Sequence, residues 1–99
     1  MTQTNSSLAR ISSLAAKRAV QTFPDDERYK FGFGVASESS GRIYKISFDA
    51  APGALYWRCS CPSGIARGRC KHLDACGLKG RADMQRAEGV SFAKKHGLL

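Results

Sequence analysis

Long apolar runs are absent from this sequence. None of its 99 residues lies in a stretch of about eighteen consecutive apolar residues, the length that a membrane-spanning helix needs. An apolar signal segment is also missing, so we expect a cytoplasmic protein, or a nuclear one if the host is eukaryotic, with no membrane partner. In that reducing environment, we expect the four cysteines to bind metal rather than to form disulfides.

Acidic residues are scarce. Eight Asp and Glu stand against sixteen Lys and Arg, which gives a formal net charge of +8. A surface this basic attracts polyanions such as nucleic acid. No acid occurs between Asp49 and Asp74, and that stretch contains a basic cluster that we take as candidate nucleic-acid contacts: Arg58, Arg67, Arg69 and Lys71. The alternative is that these charges form a solvated surface without a ligand.

Catalytic constellations are missing as well. The sequence offers no nucleophile paired with a base, no paired-carboxylate site and no glycine-rich phosphate loop at a credible spacing. His72 and His96 are its only imidazoles. We therefore predict that the chain is not an enzyme and has no small-molecule substrate.

The first 24 residues lack acids and are rich in serine, a composition shared with mitochondrial transit peptides. Their apolar residues recur at near-helical spacing, which favours an amphipathic helix instead. We predict that this helix begins at a cap provided by Asn5 or Ser6 and ends near Phe23, before Pro24.

A sheet is predicted in the middle of the chain. Apolar residues recur at every second position in residues 29–36, again in 42–49 and once more in 55–59, which indicates three antiparallel strands. Beyond a glycine-punctuated loop we predict a helix from Cys70 to about Leu78 and, on a weak apolar pattern, another over 81–95. We assign residues 1–99 to a single domain, with a helix and turn in 1–27, the sheet and metal site in 28–78, and a C-terminal extension in 79–99.

The segment from Cys59 to His72 reads C-x-C, eight residues, C-x-H. Residues i and i+2 of a strand share a side, so Cys59 and Cys61 present two sulfurs to one ion as the third strand ends. The intervening residues reverse the backbone and bring Cys70 and His72 to the other side of the ion. Three thiolates and one imidazole form a closed set typical of one structural Zn²⁺ ion, without the open position of a catalytic metal. We expect a helix start near Cys70 and the basic cluster to favour the thiolate form.

This segment resembles the SWIM zinc-finger family, whose pattern is C-x-C, a variable gap and C-x-H. Tyr44 and Ile46 in the preceding strand, Trp57 before the first cysteine, and Ala75 in the stretch that begins CKHL are similar as well. The resemblance spans residues 42–78 and implies a ββα fold around zinc. It also implies binding of DNA or of other proteins, often within larger transposase, chromatin or recombination-related proteins.

A few further side chains have two interpretations each. Cys76 lies one helical turn after His72 and either replaces a ligand or, as we expect, is a small buried residue. Trp57 either stacks on a base or packs beside the zinc site, which we favour, and Tyr56 is then the more exposed aromatic. His96 is expected to be a solvated tail residue.

Together these patterns predict a small α+β domain with an N-terminal helix, a three-stranded antiparallel sheet and a zinc-anchored, ββα-like SWIM finger. The leading functional hypothesis is nucleic-acid binding, DNA in particular, through the basic surface around the zinc ion. The alternative is a protein adaptor or inhibitor, of a phage-like kind, that engages an acidic protein surface through the sheet or the N-terminal helix.

Overall fold

An antiparallel sheet of four strands forms the centre of the computed structural model, which describes residues 8–99. In chain order, which is also their order in the sheet, the strands are β1 (Ala19–Thr22), β2 (Tyr29–Ala36), β3 (Ile43–Asp49) and β4 (Tyr56–Cys59). The helices are α1 (Ser13–Arg18), α2 (Pro62–Arg67), α3 (Lys71–Ala75) and α4 (Arg86–Lys95), and residues 8–11 are helical as well. The predicted α+β class is confirmed. Within residues 8–99, every helix is too short or too polar to cross a lipid bilayer.

The prediction of three strands is wrong by one. Residues 19–22, which the apolar spacing assigned to the first helix, leave the helix after Arg18 and pair with β2, with Ala19 opposite Val35. The spacing of apolar residues alone does not distinguish a helix from a strand here, because the apolar positions of this segment fit both a helical face and a short edge strand. Pairing with the edge of β2 decides between them. The predicted helix start at Asn5 or Ser6 lies outside the described residues.

The two faces of the sheet differ in character. The alternation in the sequence places Phe33, Ile46, Phe48 and Trp57 on one face, where each is at most 3% exposed. Helix α4 packs against that face, and the ring centroids of Phe92 and Phe48 are 4.6 Å apart. The opposite face is polar, as is usual when one side of an antiparallel sheet meets water.

Helix α4 belongs to the core, although the sequence pattern there is weak. It begins at Arg86, later than the predicted start near Arg81, and the Gln85 N–H donates to Glu88 Oε1 at 3.2 Å. The connection to α4 runs along the outer edge of β4, where the Trp57 N–H donates to the Lys79 carbonyl at 3.1 Å. That contact holds the end of β4, and therefore the first cysteine, against the rest of the fold.

Candidate metal centre

The four predicted ligands converge at one end of the sheet. Cys59, Cys61, Cys70 and His72 each offer one ligand atom, and these atoms all lie within 4.8 Å of one another. The three cysteines are buried and unpaired, and His72 is half-buried. A tetrahedral zinc centre places its sulfur ligands about 3.8 Å apart, so closing around an ion requires at most about 1 Å of movement. The group is able to hold one metal ion.

Two of the sulfurs sit at helix starts. Cys61 immediately precedes α2, and its Sγ accepts the Gly64 N–H at 3.2 Å. Cys70 immediately precedes α3, and its Sγ accepts the Leu73 N–H at 3.4 Å. The first N–H groups of a helix have no carbonyl partner within the helix, so the sulfurs satisfy these donors while the donors orient the sulfurs.

The imidazole of His72 has no strong protein partner. Its Nδ1 lies 3.8 Å from Cys59 Sγ, close to the roughly 3.6 Å expected between sulfur and nitrogen ligands of one tetrahedral ion. Its Nε2 is buried and has no hydrogen-bond partner among the described residues. The Tyr44 ring packs against the imidazole at a centroid distance of 5.1 Å and fixes its position. This arrangement suits a ring that a metal ion holds.

Burial controls the protonation of the cluster. It raises the pKa of the Cys59 and Cys70 thiols, and it lowers the pKa of His72. At Cys70 the Leu73 N–H at the helix start lowers the pKa, as expected, but burial outweighs it in the protein alone. A bound cation supplies the positive charge that stabilises thiolates in such a site.

The segment between the two ligand pairs folds into helix α2 rather than the predicted loop. Pro62 occupies the first turn, and Gly68, at φ +73°, ends the helix in the left-handed conformation. Proline at a helix start and glycine just past its end are known boundary signals that the sequence already contained. Gly64 lets α2 approach β4 closely, since a Cβ atom there would lie 2.6 Å from the Cys59 carbonyl oxygen.

Cys76 is not a member of the ligand group. Its residue is completely buried, which confirms the expectation of a small buried side chain. Its backbone carbonyl accepts the Ser12 hydroxyl at 2.5 Å, and Ser12 Oγ in turn accepts the Ala15 N–H at 3.1 Å. Ser12 thus caps α1 and joins it to the end of α3, which stops at Ala75 rather than at the predicted Leu78.

Two of the basic candidates are paired with acids. Arg69 Nη2 lies 2.5 Å from Asp83 Oδ1, and Arg58 Nε lies 2.5 Å from Asp49 Oδ2. Asp49 also accepts two hydrogen bonds from Arg28, at 2.8 and 2.9 Å. Burial opposes ionisation of Asp49, but the hydrogen bonds from the two guanidinium groups prevail and lower its pKa. Sequence reasoning missed this cluster, because no local pattern links residues on three different strands or strand ends.

The other two basic candidates form no salt bridge within the described part of the chain. Lys71 donates from Nζ to Ser39 Oγ at 2.8 Å, and Arg67 is exposed at the end of α2. Both flank the ligand pairs, since Lys71 lies between Cys70 and His72 in the sequence. These two side chains are the candidates most available to an anionic ligand.

Trp57, Tyr56 and His96 are buried to different degrees. Trp57 is 3% exposed, with its ring 5.4 Å from that of Phe48, so core packing is confirmed. Tyr56 is half-buried and more exposed than Trp57. The prediction for His96 is wrong, because its ring is half-buried and packs on Phe92 at a centroid distance of 4.3 Å.

Comparison with known proteins provides no relative for this chain. No family model matches it, and neither the curated proteins nor the solved structures give a match. The metal-ligand group and the surfaces around it are therefore the features that indicate a function.

Proposed function

We propose that this chain is a zinc-stabilised binding module of the SWIM type. The observation that carries the proposal is the convergence of a C-x-C pair and a C-x-H pair on one point. A set of three sulfurs and one imidazole suits zinc, which is redox-inert and commonly bound by such sets. When bound, zinc stabilises the three thiolates and links β4, α2 and α3.

The SWIM assignment is supported by what surrounds the ligands. Strands β3 and β4 followed by α3 give the ββα order that the resemblance implies, with α2 inserted between the ligand pairs. Tyr44 on β3 contacts His72, and Trp57 on β4 lies in the core. These are two of the four positions outside the ligands on which the resemblance depends, with Ile46 and Ala75.

We propose a binding role rather than an enzymatic one. Four protein ligands close the coordination shell of a tetrahedral ion and leave no position for an activated water or a substrate. His96, the other imidazole of the sequence, packs against Phe92 and is remote from the ligand group in the chain. A small-molecule substrate is therefore not part of the proposal.

Nucleic acid is the ligand that the surface chemistry favours. A groove of about 250 Å³ lies beside the metal centre and is bordered by β4 and α2. We call it the sheet groove; its lining includes Tyr29, Lys45, Ser47, Arg58, Ser60 and Ile65, and no acidic side chain of the described residues lines it. Positive charge beside a zinc-stabilised turn, in a chain with net charge +8, provides phosphate contacts.

Fluorescence anisotropy with labelled DNA and RNA, over a range of salt concentrations, tests this function. Zinc-loaded protein should bind with micromolar or tighter affinity, and the affinity should fall steeply with salt because counterions are released from phosphates. Arg67→Glu combined with Lys71→Glu should weaken binding by about tenfold or more. Lys94→Glu combined with Lys95→Glu makes the same change of net charge at exposed positions of α4 and is the matched control. Absence of binding at low salt contradicts the proposal.

A protein partner is the second candidate, and the edge of the sheet favours it. Strand β1 lies at one edge, and Val20 on it is 54% exposed. Leu14, on the preceding helix, is 47% exposed, with Lys17 and Arg18 between them in the sequence. An acidic segment that adds a strand beside β1 would use this surface, and its binding would persist at salt concentrations that abolish phosphate contacts.

A further inference from the structure

The polar face of the sheet has an ordered row of side chains across it. Tyr29 on β2 pairs with Asp49 on β3, and Asp49 pairs with Tyr56 on β4. Directly opposed residues of antiparallel strands share a face, so the two tyrosines flank the carboxylate. Neighbouring strands are about 4.8 Å apart, which places the tyrosine backbones roughly 10 Å from each other. The row lies next to the sheet groove, which Tyr29 also lines.

Each tyrosine of this row carries an arginine over its ring. The guanidinium carbon of Arg28 lies 5.2 Å from the centroid of Tyr29, and that of Arg58 lies 5.3 Å from the centroid of Tyr56. Both guanidinium groups are fixed by Asp49, whose side chain is fully buried. The result is two arginine–tyrosine pairs at cation–π distance, side by side on the polar face of the sheet. Arg58 Nη2 also donates to the Tyr56 hydroxyl at 3.3 Å. Planar guanidinium and aromatic groups are the surfaces on which unpaired bases stack.

The charge of this face is positive. Arg28, Arg58 and Lys45 contribute +3, and Asp49 and the neighbouring Asp26 contribute −2, so the five together carry +1. Lys45 is exposed and stands on the same face as Asp49, four residues earlier on β3. Phosphates that follow the strand from the tyrosine row toward the metal centre would therefore meet Arg58 and then Lys45. This pattern of stacking surfaces and cations is that of single-strand binding sites.

An acidic turn limits the site at its other end. Asp26, in the turn between β1 and β2, accepts the N–H groups of Arg28 and Tyr29 at 2.8 and 2.6 Å, and these bonds lower its pKa. Its negative charge would repel a phosphate chain beyond Tyr29. The available path therefore runs from the tyrosine row along β3 and β4 to α2. The four residues of β4 give this path a length of about 13 Å. Such a path accommodates a few nucleotides.

We propose that this face, which we call the stacking platform and define as Arg28, Tyr29, Lys45, Tyr56 and Arg58, binds single-stranded nucleic acid. The inference rests on the proposed nucleic-acid function and specifies its ligand. Bases stack on the two arginine–tyrosine pairs, and phosphates contact Lys45 and the Arg58 edge of the sheet groove. Duplexes are disfavoured because their bases are already stacked on one another and cannot reach the rings.

The test compares single strands with duplexes of the same sequence. Anisotropy of labelled 12-nucleotide single strands of DNA and RNA, titrated with zinc-loaded protein, should show affinity at least about tenfold above that for the duplex. Tyr29→Ala and Tyr56→Ala should each weaken single-strand binding about fivefold or more, whereas Tyr56→Phe, which keeps the ring, should retain most of it. Circular dichroism and zinc content verify that each variant is folded.

A second variant covers the case in which an alanine variant does not fold. Lys45→Glu changes an exposed side chain and should weaken single-strand binding about tenfold. The slope of log affinity against log salt concentration should become shallower by about 0.7, the value for one phosphate contact. Lys94→Glu makes the same change of charge on α4. It should alter the affinity and its salt dependence only as far as the change of net charge does.

The outcomes separate this inference from the function on which it rests. Equal or tighter binding of the duplex, or single-strand binding that Tyr56→Ala and Lys45→Glu leave unchanged, overturns the stacking platform and leaves the nucleic-acid function standing. If neither single strands nor duplexes bind at low salt, or if only an acidic protein binds, both proposals are overturned.

Discussion

Cys61 and Cys70 occupy equivalent positions. Each is the residue immediately before a short helix, and each sulfur accepts the N–H of the residue three positions later, at 3.2 Å from Gly64 and 3.4 Å from Leu73. A helix start directs partial positive charge toward its cap, which favours thiolate over thiol once a cation offsets burial. The site is thus built from two similar units, one that follows β4 and one that opens α3.

The ligand assignment predicts a contrast between two buried cysteines. Cys61→Ser should weaken zinc binding by more than about 100-fold, because even the loss of a group that only supports a ligand costs 10- to 100-fold. Cys76→Ala should retain one zinc ion per chain and lose only about 1 kcal/mol of stability, since Cys76 is buried but lies outside the ligand group. Metal titration monitored by a chromogenic zinc indicator measures both. Equal zinc affinities of the two variants would contradict the assignment.

The packing of α2 on β4 predicts the effect of a single methyl group. Gly64→Ala should destabilise the protein by about 1–3 kcal/mol, because the added Cβ would lie 2.6 Å from the Cys59 carbonyl oxygen. Without that clash, alanine in a helix would stabilise by up to about 1 kcal/mol, so the sign of the change is diagnostic. Gly53→Ala, at a position with nothing within 4 Å, is the matched control and should change stability by less than about 0.5 kcal/mol. Chemical denaturation gives both values.

Asp49 should contribute to stability at neutral pH through its two arginines. Asp49→Asn should cost about 1–3 kcal/mol, toward the lower end because Arg28 and Arg58 are 49% and 41% exposed and water screens them. The folded-state pKa of Asp49 is lowered, so its contribution is present above the unfolded pKa of about 3.9 and is lost as the pH falls below it. Denaturation of both proteins at pH 7 and pH 3, each with metal removed, tests this. If the difference in unfolding free energy between the wild type and Asp49→Asn is as large at pH 3 as at pH 7, the ion pairs do not provide this stability.

His96 should make the protein less stable in mild acid. Its packing against Phe31 and Phe92, and to a lesser extent the charge of Lys95, lower its pKa below the ordinary 6.5. The unfolded chain then binds a proton at a higher pH than the folded one, so stability is lost as the pH falls through about 6.5 toward the folded pKa. His96→Leu should show a smaller loss of stability between pH 7.5 and pH 5.5 than the wild type. Excess zinc in both samples keeps the metal contribution matched, and identical losses would refute this role.

The metal-ligand group could be predicted from the sequence because its spacing follows from local geometry. Cys59 and Cys61 are two residues apart at a strand end, and Cys70 and His72 are two apart at a helix start. The helix between the pairs was also encoded, in Pro62 and Gly68, although glycine suggested a loop. Local periodicity likewise predicted β2, β3 and β4. It did not predict the register shift between Lys30 and Phe33, which places Tyr29 opposite Asp49 on the polar face.

Features that depend on distant residues could not be predicted. Residues 19–22 become strand β1 because an edge of β2 is available to them, and a local window contains no information about that edge. Asp49 is buried because Arg28 and Arg58 reach it from other parts of the sheet. His96 lies near the chain end, yet its ring packs against Phe31 of β2, with the ring centroids 5.4 Å apart. In each case the partner is distant in the sequence and becomes a neighbour only in the folded sheet.

Native mass spectrometry of the chain with and without zinc, combined with circular dichroism after chelation, tests the central claim most directly. The account predicts one zinc ion per chain, bound through deprotonated thiols, and loss of ordered structure in residues 59–76 when a strong chelator removes it. A chain that binds no stoichiometric zinc, or that keeps the same circular dichroism and melting temperature after verified zinc removal, would contradict it.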